Sequence, residues 1–150
     1  MIKAIFLDWG KTVYDNDTQQ DGKLYEGALE TVEYLSKKYI VAMMSKTAEP
    51  LEVRKQRIES SPIFKYLKLL LIDPDDKNKL YEQALKHFNL KPEEVAIIDD
   101  RTKRGIQWGT KRGATTIWIR QGRYKDELPN EETGKPDYII YDIKEAMKIL

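Results

Sequence analysis

The sequence contains no cysteine and a single histidine, His87. Without cysteine there is no disulfide, no thiolate zinc site and no cysteine nucleophile. One histidine excludes a multi-histidine metal centre and any mechanism that needs two imidazoles. No apolar run approaches the roughly 18 residues of a membrane helix, so no membrane partner is expected. Strand-like residues begin at Ile2, where a signal peptide would carry its charged and apolar regions. An excess of one charge is missing too, since 26 Lys and Arg meet 25 Asp and Glu and leave a net charge of +1. That balance argues against a general nucleic-acid binder and leaves room only for a local basic patch. At 150 residues the chain fits one domain, residues 1–150, that buries most of its unfolded surface without a staple. The chemistry must then rest on carboxylates, hydroxyls, amines or a metal, and a cytoplasmic location is expected.

What is present is an alternation of apolar runs and helical patterns. Ile2–Leu7 reads as a buried parallel strand that Asp8 ends. Residues 10–24 are polar and read as a loop. A helix from Glu26 places Ala28, Leu29, Val32 and Leu35 on one face. Tyr39–Met44 reads as the second strand, closed by Ser45, and a charged helix is expected over Ala48–Glu59. Leu67–Ile72 is the third strand, and the helix after it aligns Leu80, Tyr81, Ala84, Leu85 and Phe88. Val95–Ile98 is the fourth, ending in Asp99 and Asp100. A helix over Lys103–Arg112 stops at Gly113, and Ala114–Ile119 is the fifth strand. A polar loop, a short strand at Tyr138–Tyr141 and a terminal helix complete the chain. Strands alternating with helices predict an α/β fold, a three-layer Rossmann-like parallel sheet.

In such sheets chemistry sits at the carboxyl ends of the strands. Three ends here carry suitable groups: Asp8, Ser45 and the Asp99–Asp100 pair. A carboxylate at the end of an apolar strand is costly to bury unless paired or metal-bound. Two adjacent carboxylates repel, and a nearby cation favours both being ionised. Mg²⁺ takes one or two carboxylates together with substrate phosphate and water. If the first and fourth strands are neighbours, Asp8 and one of the pair can hold such an ion, while Ser45 donates to a phosphate oxygen. Gly10-Lys11-Thr12 copies the end of a P-loop, but the glycine required five residues earlier is Ile5. A receiver domain has its acid pair after the first strand, whereas the pair here follows the fourth.

From Ile2 to about Tyr124 the sequence resembles the haloacid dehalogenase-like (HAD) superfamily. FLDWGKTVYD is similar to its first motif, Asp-x-Asp-x-Thr, with Asp8 and Thr12 in place. VAMMSKT supplies the second-motif Ser45, and VAIIDDRTKRGIQWGTKRGATTIWIRQGRY the acidic fourth motif. The resemblance implies a sheet order five-four-one-two-three. It also implies that Asp8 is a nucleophile forming an aspartyl-phosphate, that Ser45 binds the transferred phosphoryl group, and that a lysine steadies its charge. Mg²⁺ is the implied cofactor, held by Asp8, the Gly10 carbonyl and Asp100, with Asp99 beside them. A phosphorylated substrate is the implied partner, with Trp9, Gly10, Lys11, Thr12 and Lys46 around it.

Two departures shape the expectation. The second motif-one Asp, which in the family protonates the leaving group, is Gly10. The second motif-four acid falls at Arg104 or Gly105. Family members without the second Asp include dehalogenases and phosphonate hydrolases, and both need a cap domain. The segments Asp8–Ser45 and Ser45–Asp100 have no room for one, so a capless, open site is expected. It suits a bulky phosphorylated substrate or a lid lent by a second subunit of a homo-oligomer. The position usual for the third-motif lysine is Asp75, which leaves Lys77 as the preferred candidate, Lys79 as the second and Lys46 as a further phosphate contact. The reading is a Mg²⁺-dependent phosphatase or phosphotransferase favouring good leaving groups. The alternative is a non-catalytic phosphate- or protein-binding module on the same scaffold. The basic residues from Arg101 to Lys125 read as a solvated helix face or as a guide for an anionic substrate.

Overall fold

The computed structural model describes residues 1–17 and 22–150. Six strands form one parallel sheet: β1 (Ala4–Leu7), β2 (Ile40–Lys46), β3 (Leu69–Asp73), β4 (Val95–Asp99), β5 (Thr115–Ile119) and β6 (Tyr138–Ile140). Their order is β3-β2-β1-β4-β5-β6. The five-four-one-two-three order expected from the sequence is met, and β6 extends the sheet beside β5. Because β1 is short and central, all four of its residues are buried. Ala4 and Phe6 face one core, and Ile5 and Leu7 face the other, following the period-2 alternation of a strand.

Helices cover both faces. On one side α1 (Ala28–Ser36) and α5 (Ala146–Ile149) pack over Ile5, Leu7, Val41 and Ile98. On the other, α3 (Asn78–Phe88) and α4 (Gln107–Arg112) bring Leu80, Tyr81, Ala84 and Trp108 onto Phe6 and Ile97. Tyr81 lies between Phe6 and Trp108, with ring centroids 6.2 and 4.8 Å away. Among the described residues no helix is long and apolar enough to cross a membrane.

Three segments differ from the sequence reading. The loop at 10–24 contains a small antiparallel ribbon pairing Tyr14–Asp15 with Lys23–Leu24. Two-residue strands are too short for any periodicity to announce them. Helix α2 (Leu51–Glu59) starts three residues later than expected, after the extended Pro50, and leaves Leu51 and Val53 exposed. Only Ile58 anchors it to the core. The segment before α4 opens with a wide π-type turn at Thr102–Ile106, which presses the backbone against the end of β4.

Candidate active site

The register of the sheet assembles the site. Leu7 pairs with Met43 on one side and with Ile98 on the other. The residues just beyond, Asp8, Ser45, Asp99 and Asp100, therefore reach the same edge. The Asp8 amide continues the ladder by donating to the Ile98 carbonyl at 3.1 Å.

Both oxygens of Asp8 are held. Lys77 Nζ donates to Oδ1 at 2.6 Å, and the Thr12 hydroxyl donates to Oδ2 at 2.9 Å. Lys77 also donates to Asp99 Oδ2 at 2.9 Å. It stands at the start of α3, where Asp73 and Asp76 accept backbone N–H groups of the approaching turn. These acceptors satisfy donors that a helix start otherwise leaves orphaned. Lys77 is only 4% exposed. Burial alone would lower its pKa, but Asp8 and Asp99 around it raise it well above the ordinary lysine range. Lys79, the second candidate, is exposed and bonded to Asp73 at 2.6 Å, away from Asp8. That ion pair, with two backbone N–H donors, lowers Asp73 to about 2.

Asp99 belongs to the lysine. Its Oδ2 accepts from Lys77, from the Tyr81 hydroxyl at 3.2 Å and from the Gly105 amide at 3.0 Å, and its Oδ1 accepts from the Arg101 amide at 3.0 Å. Burial would raise its pKa, yet the charge and hydrogen bond of Lys77 and the Arg101 amide hold it below the usual range. Three of these donors crowd Oδ2, which ties that oxygen to Lys77, while Oδ1 accepts only one, and Asp99 stands in the carboxylate cluster with Asp8 and Asp100. Gly105 is explained by the same contact. A Cβ there would lie 2.5 Å from Asp99 Oδ2 and 2.6 Å from the Tyr81 hydroxyl. The position carries no side chain because the buried Lys77–Asp99–Tyr81 cluster fills the space.

Asp100 is the reverse case. It is buried, and its Oδ2 has no hydrogen-bond partner. Burial, then the charges of Asp8 and Asp99, push its pKa up to about 10. Oxygens of Asp8, Asp99 and Asp100 lie within 4.8 Å of one another. A clustered, orphaned carboxylate fits a hard divalent cation, which would neutralise it and use its free oxygen. The Trp118 indole donates to the Asp100 carbonyl at 2.9 Å and fixes that residue from behind.

Beside these residues lies a cavity of about 200 Å³ bordered by Asp8, Gly10, Lys11, Lys46, Arg54, Asp100, Arg101, Arg104 and Tyr124. Lys11 has a left-handed backbone, φ 62°, and its ammonium bonds Asn16 at 3.1 Å. Thr12 is fully buried, and its hydroxyl is turned to Asp8. Ser45 is buried and accepts a 2.7 Å bond from Arg54. Trp9 is also buried and borders an adjoining cavity of about 300 Å³ with Tyr14, Asn16, Glu49, Arg54 and Arg57. Sequence reading missed Tyr81, Arg54 and Asn16. Tyr81 was legible as a core residue, and its one-turn spacing from Lys77 was the available signal. For Arg54, nine residues beyond Ser45, no local signal exists.

A HAD-hydrolase-like family model matches residues 77–146. Among curated proteins, the chain is 29% identical over 108 residues to a glyceraldehyde 3-phosphate phosphatase of Pyrococcus furiosus, covering 61% of this chain and 45% of that protein. It is 29% identical over 72 residues to a protein of the same description from Methanopyrus kandleri, covering 48% and 31%. The chain thus spans less than half the length of these curated relatives. Among solved structures, a haloacid dehalogenase-like family hydrolase from Streptococcus pneumoniae superposes with a TM-score of 0.80 at 15% identity. It covers 99% of this chain and 98% of that one.

Proposed function

We propose that this chain is a member of the haloacid dehalogenase-like superfamily and a phosphohydrolase or phosphotransferase that works through Asp8. The observation that carries this reading is the Asp8 carboxylate, held between Lys77 and Thr12, beside an Asp100 oxygen without a partner. Curated relatives described as phosphatases support the same reading.

In the proposed reaction Asp8 attacks the phosphorus of a monoester. A bond forms between its oxygen and phosphorus, and the bond to the leaving oxygen breaks. The resulting aspartyl-phosphate is cleaved when water attacks phosphorus and restores the carboxylate. Splitting one displacement into two is the gain of covalent catalysis. Lys77 pairs with Asp8 and offers positive charge where phosphoryl oxygens gather. Asp99 and Tyr81 hold that ammonium in place. Ser45, Lys46 and the Lys11 turn bind and orient the phosphoryl group. Asp8, Asp100 and the Gly10 carbonyl are the residues that would hold Mg²⁺, which when bound supplies neutralisation of phosphoryl and carboxylate charge.

Gly10 offers no proton to the departing oxygen. General acid help is typically worth about 10²–10⁴ in rate, so esters whose leaving group departs as a stable anion should react best. The test is Mg²⁺-dependent hydrolysis of p-nitrophenyl phosphate. The wild type should turn over and Asp8→Asn should not. An inactive wild type, or a fully active variant, would overturn the proposal.

A further inference from the structure

We propose that the substrate carries a second anionic group, a carboxylate or a further phosphate, on its non-reacting part, and that Arg104 receives it. The inference rests on the phosphohydrolase reading and names its substrate class.

Three of the five cations bordering the cavity are already committed. Arg54 donates to Glu49 at 2.7 Å, Arg101 donates to Glu127 at 3.0 Å and stacks on Tyr124, and Lys11 bonds Asn16 with Asp17 at 3.6 Å. Lys46 and Arg104 have no ion-pair or side-chain hydrogen-bond partner among the described residues, and both are half-buried. Partial burial of an unpaired charge is unfavourable, and a bound anion offsets it.

The two differ in place. Lys46 directly follows Ser45 on β2, near the expected phosphoryl position. Arg104 borders two cavities at once: the one over Asp8, and a groove of about 370 Å³ further along the surface. That groove is lined by Lys79, Lys103, Lys111 and Arg112 against only Asp76 and Glu82 as acids. Arg112 pairs with Glu82 at 2.8 Å and Lys79 with Asp73 at 2.6 Å, which leaves Lys103 and Lys111, besides Arg104, as the groove's cations without an ion-pair partner among the described residues. A substrate reaching from Asp8 past Arg104 therefore enters positive surroundings, which favour an anionic over a neutral end.

Arg104 is also held in register with the carboxylate cluster. The next residue, Gly105, donates its amide to Asp99 and lies too close to it for a side chain. The backbone carrying Arg104 is thus tied to the acid that holds Lys77. A guanidinium so placed offers a planar fork matched to carboxylate or phosphate.

The experiment compares substrates that share a skeleton and differ in the distal group. Glyceraldehyde 3-phosphate against 3-phosphoglycerate tests a carboxylate, and fructose 6-phosphate against fructose 1,6-bisphosphate tests a phosphate. The expected result is a kcat/KM at least about tenfold higher for the anionic member of one pair, reflecting a charge-assisted hydrogen bond. Arg104→Gln should collapse that ratio while changing p-nitrophenyl phosphate hydrolysis much less. Equal rates within both pairs overturn the inference, as does a preference that survives Arg104→Gln. So does a variant that slows every substrate alike, since Arg104 then serves the phosphoryl group only. If no ester is hydrolysed, the phosphohydrolase reading fails by itself. The inference is then decided by calorimetry of the same pairs on the Asp8→Asn protein with Mg²⁺: a preference abolished by adding Arg104→Gln supports it, and equal binding overturns it.

Discussion

Three carboxylates within a few ångströms have three different fates, and their neighbours decide which. Asp99 accepts four donors and stays ionised, Asp8 accepts two and keeps free lone pairs, and Asp100 Oδ2 accepts none. Gly10 stands where the motif Asp-x-Asp-x-Thr that the sequence resembles has its second acid, and the difference is testable. A Cβ at position 10 would meet only the end of the Asn16 side chain, 3.0 Å away, and a flexible amide can give by a few tenths of an ångström. Gly10→Asp should therefore fold and supply the missing proton donor. We expect its kcat on alkyl phosphates to rise roughly tenfold or more, with little change on p-nitrophenyl phosphate, whose leaving group needs no acid. Equal gains on both ester types would show that leaving-group protonation is not what Gly10 removes.

At the scale of the element, the start of α3 decides where the lysine sits. The turn from β3 into this helix is stapled by side chains: Asp73 accepts from the amides of Asp75 and Asp76, and Asp76 accepts from those of Asn78 and Lys79. Removing one such cap typically costs about 1 kcal/mol. Asp76→Ala should thus lower stability by about that amount in urea titration. It should also loosen Lys77, so kcat for p-nitrophenyl phosphate should fall severalfold while far-UV circular dichroism stays unchanged. An unaltered kcat in a measurably destabilised variant would show that Lys77 is placed by Asp8 and Asp99 alone. The wide turn at Thr102–Ile106 acts in the same way from the other flank of β1, at the end of β4. It aims the Gly105 amide at Asp99 and sets Arg104 at the cavity edge.

At the scale of the molecule, the carboxylate cluster links stability to pH and to metal. Asp100 in the folded chain titrates at about 10, against an ordinary value of 3.8, with burial as the main cause. Between those values the folded protein keeps a proton that the unfolded chain releases. Metal-free stability should therefore fall as pH rises through this window. Lys77 is raised, so its contribution persists until pH exceeds the ordinary lysine range. Asp99 is lowered, so its contribution is complete above the ordinary carboxylate range. Neither offsets the trend between pH 5 and pH 9. A cation competes with the Asp100 proton, and at a hundred times its Kd it stabilises by about 2.7 kcal/mol. The rise in Tm on adding Mg²⁺ should accordingly be larger at pH 8.5 than at pH 5.5. Equal increments at the two pH values would contradict a metal held by Asp100.

The sequence by itself determined the layered α/β architecture, the strand-end positions of Asp8, Ser45, Asp99 and Asp100, and the lysine-bearing helix start. Each is written locally, in apolar runs of strand length, in a 3.6-residue stripe, and in polar residues that stop a run. It preferred Lys77 over Lys79 and Lys46 from the position of a helix start, with no contact to support the choice, and it treated Asp99 as a partner of Asp100. Tertiary structure separated them. Lys77 and Asp8 are 69 residues apart, and the β1–β2–β3 register with α3 packed back over the sheet closes the 2.6 Å contact. The same packing turned Gly105 from a missing acid into a required close approach, and it drew Arg54 and Arg104 to one cavity from opposite flanks of β1. Proximity between distant segments follows from sheet register and helix docking, and neither is encoded in the spacing of neighbouring residues.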